Sequence, residues 1–95
     1  MYSLAFTGQF KKDLKLLKRR SGVNFQTLLL FVEGLQKDGI DGIDQKYKPH
    51  KLKGNYSDCL ECHVLNDLLL IWMQDDELKR ITLVRTGTHS DLFRK

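Results

Sequence analysis

"SDCLECHVLNDLLLIWMQDDELKRITLVR", residues 57–85, carries the strongest strand signal in this 95-residue chain. Its apolar runs are interrupted at Asn66-Asp67 and again at Asp75-Asp76-Glu77. These residue types tolerate left-handed turn conformations, so the segment predicts two successive hairpins. A two-residue turn at Asn66-Asp67 would pair Leu65 with Leu68 and His63 with Leu70. Alternation then puts Leu60, Cys62, Val64, Leu69, Ile71 and Met73 on one face and Cys59, Glu61, His63, Leu70 and Trp72 on the other. The first face is apolar throughout and is expected to receive helices, which leaves His63 on the opposite, partly open face.

The helices lie upstream. "YSLAF" reads as a short first strand, and Thr7 is placed to cap a helix. In "GQFKKDLKLLKRR" the apolar residues Phe10, Leu14 and Leu17 recur at helical spacing, with Lys11, Lys12, Lys15, Lys18, Arg19 and Arg20 filling most of the remainder. Ser21-Gly22 breaks this helix. Asn24 offers a new cap, and Phe25, Leu28, Leu29, Val32 and Leu35 mark a second helix. Residues 37–56 hold three glycines and the only proline and read as a long surface loop, a feature that is often functional in compact domains. The expected class is α+β, with two N-terminal helices packed on one face of a small antiparallel sheet in a single domain, residues 1–95.

Charge and composition narrow the partners. Sixteen Lys and Arg against twelve Asp and Glu give a formal charge of +4, which favours a polyanionic or acidic partner. Six of the ten residues 11–20 are basic, a local field suited to RNA phosphates as well as to solubility. No apolar run approaches a membrane span and the N-terminus lacks a secretory pattern, so the expected setting is cytoplasmic and without a membrane. "CLECH", residues 59–63, matches the C-x-x-C-H pattern of haem attachment and, with His50, suggests a metal site. Alternation places Cys59 and Cys62 on opposite faces, where they cannot share a ligand. Reduced core thiols are expected, with no cofactor and no metal.

Three histidines, His50, His63 and His89, accompany Asp67 and Arg85 in loop, strand and turn segments. Together they supply what acid–base cleavage of an RNA phosphodiester needs: a base for the 2′-hydroxyl, an acid for the leaving 5′-oxygen and a cation for the phosphorane. Imidazole suits both proton roles because its unperturbed pKa of about 6.5 lies near the working pH. One conflict stands in the pattern. Simple alternation puts Arg85 in phase with Ile81 and Leu83, away from the open face, unless the strand twists or ends before Thr86.

The ordered series "PHKLKGNY", "ECHVLNDLLLIW" and "LVRTGTHSDLF" resembles the YafQ branch of the RelE-like toxins, ribosome-dependent mRNA endonucleases of type II toxin–antitoxin pairs. His50 falls on that family's histidine before L-x-G, His63 and Asp67 on its H-x-x-x-D, and Arg85, His89 and Phe93 on its closing R-x-G-x-H-x-x-L-F. The resemblance implies a RelE-like fold with the site on the sheet face away from the helices. It further implies metal-independent cleavage of mRNA in the ribosomal A site, leaving a 2′,3′-cyclic phosphate. His50, His63, Asp67 and His89 would share proton transfer and positioning, Arg85 would stabilise phosphate charge, and Phe93 would pack on a base or hold the tail. Lys11, Lys12, Lys15, Lys18, Arg19, Arg20, Lys51 and Lys53 would bind RNA or the ribosome, the basic helix facing ribosomal RNA or, when neutralised, an acidic antitoxin segment. The implied partners are a cognate antitoxin, the ribosome with its mRNA, and operator DNA through the antitoxin only. Asn66 stands where the branch often has proline, and Leu68 where some members have tryptophan. A rival reading of the same fold is a non-catalytic module acting in autoregulation with its antitoxin.

Overall fold

The structure, a computed structural model, describes residues 1–93. Strand β1 (Ser3–Phe6) leads into helices α1 (Gly8–Arg20) and α2 (Gly22–Asp38). The chain continues through a short strand β2 (His50–Lys51), the strands β3 (Leu60–Leu65), β4 (Leu68–Asp75) and β5 (Arg80–Gly87), and a closing helix α3 (His89–Phe93). The sheet order is β1-β5-β4-β3-β2, antiparallel except that β1 runs parallel to β5. This is the α+β arrangement expected from the sequence.

Thr7 caps α1 as expected, its hydroxyl accepting from the Phe10 N–H. The cap of α2 differs from the sequence expectation. Ser21 accepts from the Asn24 N–H, while its own N–H still closes α1 on the Leu17 carbonyl. One residue therefore ends one helix and starts the next, and Asn24 lies inside the first turn of α2 rather than capping it. Phe10 and Leu17 from α1 and Leu28, Val32 and Leu35 from α2 bury against Cys62, Val64, Leu68, Leu70, Trp72, Ile81 and Leu83.

The β3–β4 register overturns part of the expected face assignment. Cys62 pairs with Leu70 and His63 with Leu69, with an irregularity at Val64 before Leu65 meets Leu68. Leu70 and Trp72 accordingly face the helices, whereas Leu69 and Ile71 turn to the other side. Met73 is exposed. The cause is local. Asn66 and Asp67 do form the turn, but neither adopts positive φ. Two-residue turns without positive φ fit the twist of a hairpin poorly, and an extra strand residue absorbs the mismatch. A one-residue slip moves every later side chain to the opposite face. In the second turn it is Lys79, at φ 52, that adopts the left-handed conformation.

Residues 37–56 are more ordered than a surface loop. They form short helical turns at Gly39–Gly42, Gln45–Tyr47 and Gly54–Tyr56 and the edge strand β2. Ile40, Ile43 and Tyr47 pack on the main core, Tyr47 edge-on to Phe31 with ring centroids 5.2 Å apart. Beneath the open face lies a second, smaller cluster: Cys59, Leu69, Ile71 and Leu92, flanked by Leu52, Tyr56 and Val84.

Candidate active site

Register builds the site in two adjacent rows. His50 pairs with Glu61, Glu61 with Ile71, and Ile71 with Arg85. The next row joins His63 to Leu69 and Leu69 to Gly87. With strands about 4.8 Å apart, His50 and Arg85 stand at the ends of a row about 14 Å wide. Arg85 reaches this face through a second bulge: Ile71 pairs with Arg85 but Trp72 with Leu83, leaving Val84 as the extra residue. That extra residue resolves the phase conflict, since Leu83 stays in the helix-covered core and Arg85 turns away from it.

The three imidazoles form a chain, with ring centroids 6.4 Å apart for His50 and His63 and 5.5 Å for His63 and His89. Asp67 Oδ1 accepts from both the backbone N–H of His89 (2.9 Å) and ring Nδ1 (2.8 Å). The backbone bond first, and the ring bond second, hold the Asp67 carboxyl below the usual carboxylate range. The contact fixes the tautomer, with hydrogen on Nδ1 and Nε2 free to meet a substrate atom. Desolvation pushes the His63 pKa down despite the opposing pull of Glu61, so His63 is neutral near pH 7.

α3 is held by reciprocal bonds between Thr88 and Asp91. The Thr88 N–H donates to Asp91 Oδ2 at 3.0 Å, and the Asp91 N–H donates to Thr88 Oγ at 3.1 Å. Arg20 Nη1 reaches the same Oδ2 at 2.8 Å. Gly87, at φ 151, is required here, because a Cβ would lie 2.8 Å from that oxygen. Leu92 anchors the helix in the small cluster. The glycine turn thus exists to bring His89 back over Asp67.

Arg85 is held from the helix layer. Its Nε and Nη2 donate to the two oxygens of Asp13 at 3.0 and 3.1 Å, and the same carboxylate accepts the Thr86 N–H at 3.1 Å. These bonds, with Tyr56 adding to them, raise the guanidinium's hold on its proton. Asp13 engages Nε and one N–H of Nη2, so Nη1 is not held by that carboxylate and can donate to a phosphate. Phe93 packs edge-on to Tyr56, centroids 6.1 Å apart.

His50, His63, Asp67 and His89 therefore gather as one group, and Arg85 and Phe93 meet through Tyr56. Lys11, Lys12, Lys15, Lys18 and Arg19 are exposed on α1 and do not join them. Arg20 is committed to Asp91. Lys51 and Lys53 are exposed beside His50, Lys51 at a register position that alternates away from it. An open cavity of about 710 Å³ continues past His63 and Asp67 toward Asn24, Lys46 and Lys48, giving the site a cationic flank.

Sequence reasoning missed three residues. Asp13 was visible as the lone acid on the Phe10–Leu14–Leu17 stripe of a basic helix. Glu61 was visible as an acid two residues from His63 on the same face. Tyr56 had no signal. Cys59 and Cys62 belong to separate clusters, as alternation required. Burial raises both thiols, Cys62 to about 12, so neither is a thiolate near neutral pH.

Comparison with known proteins identifies relatives of the whole chain. A family profile described as "Bacterial toxin of type II toxin-antitoxin system, YafQ" matches residues 2–94. The mRNA interferase toxin YafQ of Escherichia coli (strain B / BL21-DE3) is 32% identical over 90 residues, covering 95% of this chain and 94% of that protein. The structure of the E. coli DinJ-YafQ complex superposes with a TM-score of 0.82 at 31% identity, covering 98% of this chain and 99% of the other. A metal-bound toxin from Helicobacter pylori gives a TM-score of 0.82 at 36% identity, covering 98% and 100%.

Proposed function

Because the chain belongs to the YafQ family of bacterial type II toxin–antitoxin toxins, we propose that it is an mRNA endonuclease that cuts on the ribosome by acid–base attack of the 2′-hydroxyl. The observation that carries this reading is the His63–His89–Asp67 group facing the row that ends in Arg85. Neutral His63 takes the 2′-hydroxyl proton as the oxygen attacks phosphorus. His89 enters the step as an imidazolium, its Nδ1–H held by Asp67, and delivers the Nε2 proton to the 5′-oxygen as the P–O5′ bond breaks, which leaves it neutral. The products are a 2′,3′-cyclic phosphate and a 5′-hydroxyl. Arg85 Nη1 meets the charge that builds on the phosphorane, and Phe93 with Tyr56 offers an aromatic edge to a base.

A cognate antitoxin is the proposed protein partner, by analogy with DinJ on the E. coli relative. Charge favours an acidic segment on the exposed cations of α1. The reaction uses imidazoles and a guanidinium and needs no metal. The test is cleavage of mRNA on purified ribosomes with EDTA present, read by primer extension and by end-group analysis. Cleavage lost on chelation and restored by added metal would refute the mechanism, and a 3′-hydroxyl end would refute the 2′-hydroxyl attack.

A further inference from the structure

The cavity beside His63 has no part in the reaction above, which is confined to the atoms around the scissile phosphate. Its volume of about 710 Å³ lies within the range of small-ligand clefts, roughly 300–1,000 Å³. Asn24 on α2, Lys46 and Lys48 on the turn before β2, and His63, Asn66 and Asp67 on the β3–β4 hairpin line it. Asp67, the acid among these, is already engaged with His89.

The turn that carries the two lysines is built into the fold. Asp44 accepts from the Lys46 N–H at 2.9 Å, Tyr47 packs on the main core, and Lys46 Nζ lies 5.1 Å from the centroid of the Tyr47 ring. Lys48 holds left-handed φ 54, a conformation that non-glycine residues keep only where their surroundings impose it. That strain is tied to the site, since the Lys48 carbonyl oxygen lies 2.7 Å from His50 Nδ1. Among the described residues, neither ammonium forms an ion pair with an acid. Burial leads in lowering the His63 pKa, and the charges of His89 and Lys48 act in the same direction, so Lys48 stands within electrostatic reach of the ring.

The cavity also has a direction. His63 borders it, whereas His89 is not among its described lining residues. In the proposed reaction His63 takes the 2′-hydroxyl proton, so the cavity opens on the nucleotide that bears that hydroxyl. A strand laid across the histidines leaves past His89 on its 3′ side and meets the lysine turn on its 5′ side.

We propose that this cavity holds the nucleotide 5′ of the cut, and that Lys46 and Lys48 grip the phosphate on the 5′ side of that nucleotide and so set the register of the mRNA at the histidines. This rests on the nuclease reading and names a substrate contact within it. Phosphate contacts position a strand without reading its sequence. Two ammonium groups on a fixed turn supply such a contact as point charges.

The test measures kcat/KM for ribosomal cleavage of mRNAs in which one phosphate flanking the scissile one, on its 5′ or its 3′ side, is replaced by an uncharged methylphosphonate. The proteins are wild type, Lys46→Ala/Lys48→Gln and Lys46→Arg/Lys48→Arg, each checked by thermal denaturation. Wild type should lose about tenfold on the 5′-neutral mRNA, the loss expected for two exposed charge contacts. The Ala/Gln variant should lose about tenfold on the unmodified mRNA and less than about twofold more on the 5′-neutral one, because the partner of that phosphate is already gone. The 3′-neutral mRNA should affect both proteins equally, and the double arginine variant should behave as wild type. Additive losses on the 5′-neutral mRNA would place the lysines on ribosomal RNA and overturn the inference, as would coupling to the 3′ phosphate or wild-type kcat/KM in the Ala/Gln variant. In each of those outcomes wild-type cleavage leaves the nuclease reading intact. A wild-type chain that cuts no mRNA on ribosomes sinks the nuclease reading and this contact with it.

Discussion

Two side chains of the proposed site are each held by one aspartate, and the two pairs live in different surroundings. Arg85 and Asp13 join the sheet to the buried side of α1, with side chains 21% and 7% exposed. His89 and Asp67 meet at the surface, 54% and 63% exposed. The Asp13 carboxylate also closes the Thr86 N–H and accepts from Gln9, so it belongs to the fold as much as to the site. Among the described residues, Asp67 bonds only to the His89 N–H and ring. Burial couples function to folding at one end of the site, and exposure separates them at the other.

The largest expected effect lies at the exposed pair. His89→Ala removes a proton donor and should slow cleavage by about a hundredfold to ten-thousandfold. The melting temperature should stay within error, since a surface side chain with one partner contributes little to folding. Cleavage and thermal denaturation measured on the same preparation check both halves. A protein that melts normally and still cleaves at the wild-type rate would remove His89 from the mechanism. Loss of stability and activity in proportion would erase the contrast with Asp13.

Asp13→Ala should show the opposite signature. Removing one partner of a buried ion pair typically costs about 3 kcal/mol, because the remaining charge is left uncompensated. Well below its melting temperature the variant should still cleave more slowly, as the guanidinium loses the two bonds that aim Nη1. Asp13→Asn keeps an acceptor for Thr86 and should fall between. Full activity in a destabilised Asp13→Ala protein would break the argument that Asp13 positions Arg85.

The pH profile gives a smaller, graded effect. Burial lowers the His63 pKa, so the acidic limb of activity should fall on the acid side of the ordinary imidazole value near 6.5, dropping about tenfold per unit beyond it. Folding stability responds in the same direction. The unfolded chain binds this proton first, so the stability contribution of neutral His63 is complete above about pH 6.5 and fades as pH falls toward the folded value. Asp67, with its pKa depressed, stays ionised across that range. An acidic limb above 6.5 would contradict His63 as the base.

The order of β1, α1, α2, β3, β4 and β5, the Asn66-Asp67 turn, the separation of the two cysteines and the histidine–aspartate group were legible from residue pattern and resemblance, whereas β2 and α3 were not. The parts that were not legible came from single extra residues. Val64 and Val84 are ordinary strand valines, and nothing in their chemistry marks them as bulges. The first sends Leu69 and Ile71 beneath the site and Trp72 into the helix-covered core; the second brings Arg85 to the open face. Where a strand takes an extra residue is decided by its turn and its neighbours, so alternation fails there. Asp13 and Glu61 are different: their positions on an apolar stripe and beside His63 were legible, but their partners lie far off in sequence.

Arg20 supplies the finest test, because it stands between the two regimes. It sits at the end of the basic helix, where sequence placed it among the RNA contacts, yet it donates to Asp91 on α3 at 2.8 Å. That bond helps set the short helix that carries His89, although half of the Arg20 side chain is exposed. An exposed ion pair contributes about 0.5 kcal/mol, so Arg20→Ala should lower stability only slightly. Its effect on cleavage separates two roles. An arginine that touches RNA phosphate should raise KM and reduce the salt dependence of binding when removed. One that steadies α3 should lower kcat a few-fold with KM and salt slope unchanged, and should lose that effect in the His89→Ala background, where nothing remains to be positioned. Single-turnover cleavage at two salt concentrations, for Arg20→Ala with and without His89→Ala, decides between them. Additive losses with an altered salt slope would return Arg20 to the RNA surface; coupled losses with a constant slope tie it to the histidine.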